Sequence, residues 1–352
     1  MRPDPGRGAH ASLLSSDSSA YTMISFSKMT FAALLVIFPA VTLAEERPTN
    51  VTVCDYYAEK IGGSNTVETE KLVMALVLHS SLLGPYSKYN SVPIADFTGA
   101  LVPTVFNGEY VDLRDYFNGG YASTNTGGSS GVAVNFWDDG GIEAAMQTLP
   151  GNGNATANQD RFFNHVYSYF GTFLGCSFIG SVELPAYIGK ASMYEVHKFM
   201  DLNYAELGYF IDQAVRGLLS IGFTVSDAQY INATLNAVFG ERCSQPAAII
   251  PPSAGPQLQA ICIADDCPLA LNSTCSSYDV VIAPAVANAT LVGNYTKAPN
   301  GSTSVNTSYT VTTWSTPTPS TSTKSGAGKA VTRLPAIGFT IVGSVLVSMG
   351  LL

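Results

Sequence analysis

A mainly α-helical domain, broken by a long irregular insertion and followed by a non-globular tail, is the fold class that three features of the sequence predict. From Thr66 to Leu83, and again from Asp160 to Phe239, large apolar residues recur at helical spacing. Between these blocks, Tyr86 to Asn158 is rich in Gly, Asn, Ser and Thr and holds only short apolar runs such as Val132 to Trp137. From about Asn288 to Ser325, Ser and Thr make up nearly half of the residues, a composition too polar to bury a core.

Taken in order, Lys28 and the apolar run Phe31 to Val41, ending at Thr42-Leu43-Ala44, read as a secretory signal too short to span a bilayer. The residues before Lys28 are foreign to such a signal, and Met23 or Met29 makes the better start. After the Gly62-Gly63 turn, Val67, Leu72, Leu76 and Leu83 mark one amphipathic helix. Phe162, Phe163, Val166, Tyr169, Phe170, Phe173 and Leu174 give a second helix a broad aromatic face, which stops at Gly175-Cys176. A loop with Pro185 and Gly189 leads to a short helix carrying Met193 and His197 one turn apart. Two further helices, Tyr204 to Leu219 and Ser226 to Phe239, flank the Gly222 break, with Ser226-x-x-Gln229 as the expected N-terminal cap.

Six cysteines, Cys54, Cys176, Cys243, Cys262, Cys267 and Cys275, follow the signal, and their even number in an oxidising compartment predicts disulfides, with about fifteen connectivities open. The last of them, near Pro251-Pro252 and Pro256, read as a disulfide-tied extension. Asn-x-Ser/Thr acceptors stand at Asn50, Asn154, Asn232, Asn272, Asn288, Asn294, Asn300 and Asn306, half of them in the Ser/Thr-rich stalk. Ser325-Gly326-Ala327, a short polar spacer and the apolar tail Ala336 to Leu352 follow the order of a glycosylphosphatidylinositol signal, with attachment at Ser325 or Gly326. The expected home is therefore the outer leaflet of the plasma membrane or the cell wall, with membrane lipid and wall glucan as expected partners. Between Glu45 and Gly326, 12 Lys plus Arg face 24 Asp plus Glu without a basic cluster, which argues against nucleic acid.

Few residues carry chemistry. Gly127-Gly128-Ser129-Ser130-Gly131 matches the Gly-x-Ser-x-Gly of a hydrolase, but the strand before and helix after that the motif needs are not foreshadowed. Cys262, Cys267 and Cys275 lack a following histidine for zinc. A haem-thiolate reading needs Pro-Cys-Pro, and Cys267-Pro268 is preceded by Asp266. What stands out is His197, one turn beyond Met193, among helices whose flat aromatic and aliphatic faces suit a large planar cofactor.

The run Tyr187-x-Gly189, Met193 and His197, with the helix ending Phe173-Leu174-Gly175 before it and two amphipathic helices after it, resembles the truncated hemoglobins. Tyr56-Tyr57-x-x-Lys60-Ile61-Gly62-Gly63 is similar to the opening turn of that family. The resemblance implies a globin-like core over 45–250 with its insertion at about 86–158; the patterns above place a leader over 1–44, an extension over 251–287, a stalk over 288–325 and a removed signal over 326–352 around it. It implies haem, with His197 on the iron, Met193 and Tyr187 near the porphyrin, and Phe162 and Val166 on the distal face. His79 or Val77 would approach from the first long helix, and His79 or His165 could supply a sixth ligand. Departures are one extra residue between Gly189 and Met193 and the lack of the family's distal tyrosine and glutamine. As a whole the chain resembles secreted fungal surface proteins. Redox or small-ligand sensing is the function so implied; a surface scaffold or adhesion protein without haem is the alternative, an enzyme only if haem is retained.

Overall fold

The computed structural model describes residues 46–86, 92–147 and 154–293, with the backbone of 296–297 and 303–304. Seven α-helices occur among them, in agreement with the mainly helical class. Helix α1 (Val53–Gly62) starts where the Thr52 hydroxyl accepts the Asp55 N–H at 3.1 Å and ends at Gly63, whose φ of 82° favours glycine. Helix α2 (Val67–Leu83) is capped by Thr66 and Thr69, each accepting the other's N–H. Amphipathic by expectation, α2 is instead buried at every residue from Val73 to Leu83. The reason is its position: α1, α4 (Asn158–Leu174) and α6 (Tyr204–Ser220) all pack on it.

Helix α4 stops at Gly175, φ 79°, where a Cβ would press on Thr52. The next residue, Cys176, is bonded to Cys54, so the end of α4 is tied covalently to the start of α1. Helix α5 (Met193–His197) is short and set by Ser192, whose hydroxyl accepts the Glu195 N–H at 3.1 Å. Helix α7 (Val225–Phe239) packs on α6. Its cap is Thr224, accepting the Asp227 N–H at 3.2 Å; the expected Ser226-x-x-Gln229 cap is corrected because Ser226 already lies inside the first turn.

The insertion holds more order than its composition suggests. Strand β1 (Thr104–Phe106) pairs with β2 (Glu109–Val111), β3 (Asn118–Thr124) pairs antiparallel with β4 (Val132–Asn135), and a helix not expected from the sequence, α3 (Gly141–Gln147), follows. Leu101, Val111, Leu113, Tyr116 and Tyr121 are buried in the same core as the helices, so the insertion is welded to the domain.

The extension clamps the far end through Cys243–Cys275 and Cys262–Cys267. The N–H groups of Ile261 and Cys262 donate to the Phe239 carbonyl and that of Ile263 to Leu202, which closes the ends of α7 and of the loop before α6. A further strand, β5 (Ala285–Val286), adds to the open edge of β3. Asn288 and Gly293, expected to begin the stalk, therefore lie against the insertion, where their N–H groups donate to the Gly120 carbonyl and Asp115 carboxylate at 3.1 and 3.2 Å. Asn50, Asn154, Asn232, Asn272 and Asn288 are all exposed. The expected signal, Asn294, Asn300, Asn306, most of the stalk and the Ser325-Gly326 attachment site lie outside the described residues. No described helix is long and apolar enough to cross a membrane.

Candidate functional site

Along one face of α4 run Phe162, His165, Val166, Tyr169 and Phe170, at the i, i+3, i+4, i+7, i+8 spacing of a single stripe. Helix α5 contributes Met193, Val196 and His197, and Met200 continues the row. Both rows line one cavity of about 650 Å³, within the range of roughly 300–1,000 Å³ usual for cofactor sites. Leu78 and Leu82 of α2, Phe210 of α6 and Phe239 of α7 add further wall. The insertion adds another, with Phe117 and Phe136 packed on Phe162 at ring distances of 5.7 and 5.1 Å. Phe162, Val166, Phe170, Val196, Met200 and Phe210 are half-buried rather than buried, each touching the core on one side and lining the cavity on the other.

The His197 ring is held by its own helix: Nδ1 lies 2.8 Å from the Met193 carbonyl oxygen. A carbonyl can only accept, so Nδ1 carries the proton and Nε2 keeps its lone pair. No hydrogen bond reaches that Nε2 among the described residues. Burial holds the pKa of His197 below the ordinary range, against the opposing pull of the Met193 carbonyl. The result is a neutral, oriented imidazole in an apolar chamber. Arg161 and Lys190 line the same cavity yet stay exposed, which puts two cations at its mouth.

Five of the six expected cofactor residues, Tyr187, Met193, His197, Phe162 and Val166, come together in this cavity. The sixth, His79, is corrected. It is fully buried, its Nε2 is 2.7 Å from the Tyr167 hydroxyl, and its ring stacks on Phe163 at 4.5 Å. Leu78 and Leu82, not Val77 or His79, carry the cavity face of α2.

The other motifs dissolve. Ser129 and Ser130 sit in an exposed bend between β3 and β4, without the strand-to-helix turn of a nucleophile elbow. All six cysteines are in disulfides, which removes a thiolate zinc site. Cys54, Glu70 and Cys176 offer ligand atoms within 4.8 Å of one another, but both sulfurs are spent in one disulfide. Glu70 accepts the N–H groups of Ser177 and Phe178, each at 2.9 Å, and burial raises its pKa.

Compared with known proteins, the chain matches no family model, no curated protein and no solved structure. Arg161, Lys190 and the insertion residues Phe117 and Phe136 were not foreseen as site residues. Arg161 was legible in principle, since it stands one turn before His165 on the helix that carries Phe162 and Val166. The insertion wall was not, because its approach depends on contacts distant in sequence.

Proposed function

We propose that the chain is a haem-binding protein of globin-like build, held at the outer cell surface by a lipid anchor, in which His197 ligates iron for redox or small-ligand sensing. One observation carries this reading: an imidazole whose Nδ1–H is tied to the Met193 carbonyl at 2.8 Å, leaving Nε2 without a hydrogen-bond partner among the described residues, on the wall of a large apolar cavity. A hydrogen bond from the far ring nitrogen to a backbone carbonyl fixes the tautomer of a metal-bound histidine.

The remaining residues suit the same group. The stripe of Phe162, Val166 and Phe170, with Val196 and Met200, offers flat apolar contact for a macrocycle. Arg161 and Lys190 at the mouth would meet its two carboxylates. Haem, when bound, supplies an iron centre that changes oxidation state or takes up a diatomic ligand. The protein's part is to hold the imidazole neutral, exclude water with the aromatic wall, and close the side of the cavity with the insertion. Phe162 and Val166, the residues expected on the distal face, donate no hydrogen bond.

The test is the absorption spectrum of the chain purified from a secretory host supplied with haem. A Soret band that His197→Ala removes while helicity is kept is the expected result. A colourless, folded protein would turn the assignment to a scaffold without haem.

A further inference from the structure

We propose that the cavity also takes a long-chain fatty acid, in place of haem, with the hydrocarbon along the α4 stripe and the carboxylate at Arg161 and Lys190. Such a ligand needs the cavity and its rim but no iron, so it goes beyond the haem reading and is decided separately from it.

Inside the cavity, the polar side chains that could pin a polar ligand are largely committed to the protein. Glu206 accepts the Tyr116 hydroxyl and the Asn203 N–H, each at 2.9 Å. The Tyr187 hydroxyl donates to the Lys190 carbonyl at 2.9 Å, and the Asn125 side chain to the Glu195 carbonyl at 2.5 Å. Leu78, Leu82, Val166, Phe170 and Phe210 supply aliphatic and aromatic wall from three helices. An acyl chain gains free energy by leaving water for such a wall and asks for no hydrogen bond there.

The rim has the opposite character. Arg161, Lys190 and Glu206 are the charged residues of the lining among the described residues, and with Glu206 committed the two cations remain, both exposed. Arg161 forms no ion pair among the described residues; its Nε donates to the Ala155 carbonyl at 3.3 Å. Lys190 Nζ is 3.9 Å from the Glu195 carboxylate, which Lys198 holds more closely at 3.1 Å. Gly189 brings the two cations to one rim. A Cβ there would collide with Cε1 of His165, so the bare backbone lies on that ring, with Lys190 the next residue along and Arg161 one helical turn before His165. Between Glu45 and Gly326 the chain has twice as many acidic as basic residues. Two cations at the mouth of an apolar chamber in such a chain select an anionic head on an apolar body. Haem has that same layout, so the two ligands exclude each other.

The experiment titrates the full chain, purified without added haem, with cis-parinaric acid, a fatty acid whose fluorescence rises in apolar surroundings. Saturation at one probe per chain is expected. Saturated fatty acids should displace the probe about fourfold more tightly for each added methylene from octanoate to laurate. The Arg161→Ala, Lys190→Ala double variant, changed at two exposed positions, should bind these acids on the order of tenfold more weakly and the corresponding alcohols unchanged. Hemin should displace the probe from the wild type. Absence of saturable probe binding, an affinity indifferent to chain length, or equal losses for acids and alcohols in the double variant would overturn the proposal. So would hemin and probe bound to one chain together. A chain that binds the probe as expected but gives no Soret band with hemin would keep the fatty-acid site and overturn the haem reading alone.

Discussion

At the scale of single residues, the difference between His197 and His79 is a matter of helical phase. Both are histidines on helices bordering the cavity, yet Leu78 and Leu82 face it and His79, about 100° further round, does not. Its imidazole is driven into the core against Phe163 and Tyr167, and burial pushes its pKa down to about 4 from 6.5. Because the folded state holds the proton more weakly than the unfolded chain, this histidine's contribution to stability is present above pH 6.5 and lost as pH falls through 4. Such a shift corresponds to about 3 kcal/mol. Urea melts between pH 7 and 4 should show that loss, and His79→Gln should flatten it. The sequence points to His197 through its spacing from Met193 and Tyr187; the side to which His79 turns is set by a helix buried all round, where periodicity carries no phase.

Among elements, α4, α6 and α7 are legible because each keeps one polar face and a breaker at its end, Gly175, Gly222 and Gly240 in turn. Helix α3 is short and mixed in composition, and the β3–β4 ribbon gains its order from packing on α4 and α5, which no local pattern encodes. That ribbon fastens α5, the helix that carries His197: the Asn125 side chain donates to the Glu195 carbonyl at 2.5 Å while its own oxygen accepts the Gly127 N–H. Asn125→Ala should cost about 1 kcal/mol at α5, read as roughly fivefold faster haem transfer to an acceptor protein, with the Soret position unchanged. The Cys54–Cys176 bond closes a separation of 122 residues. Chain entropy then predicts about 5 kcal/mol lost in the Cys54→Ser, Cys176→Ser double variant, measured as a lower urea midpoint.

For the whole molecule, the helices, the insertion and the extension share one core, and the cavity is lined by residues of α2, α4, α5, α6 and α7, of the insertion and, through Ile261, of the extension. A ligand filling it must therefore stabilise everything at once. Hemin at about a thousand times its dissociation constant should add about 4 kcal/mol and raise Tm by about 10 °C in a domain of this size, in a single transition. Separate transitions for insertion and helices would contradict the shared core.

The most direct measurement is a hemin titration of the wild type and of His197→Gly, followed at the Soret band with and without added imidazole. The account predicts saturation at one haem per chain, loss of the band in the variant, and its return when imidazole takes the vacated place. A band that fails to saturate, or one indifferent to His197, would contradict it.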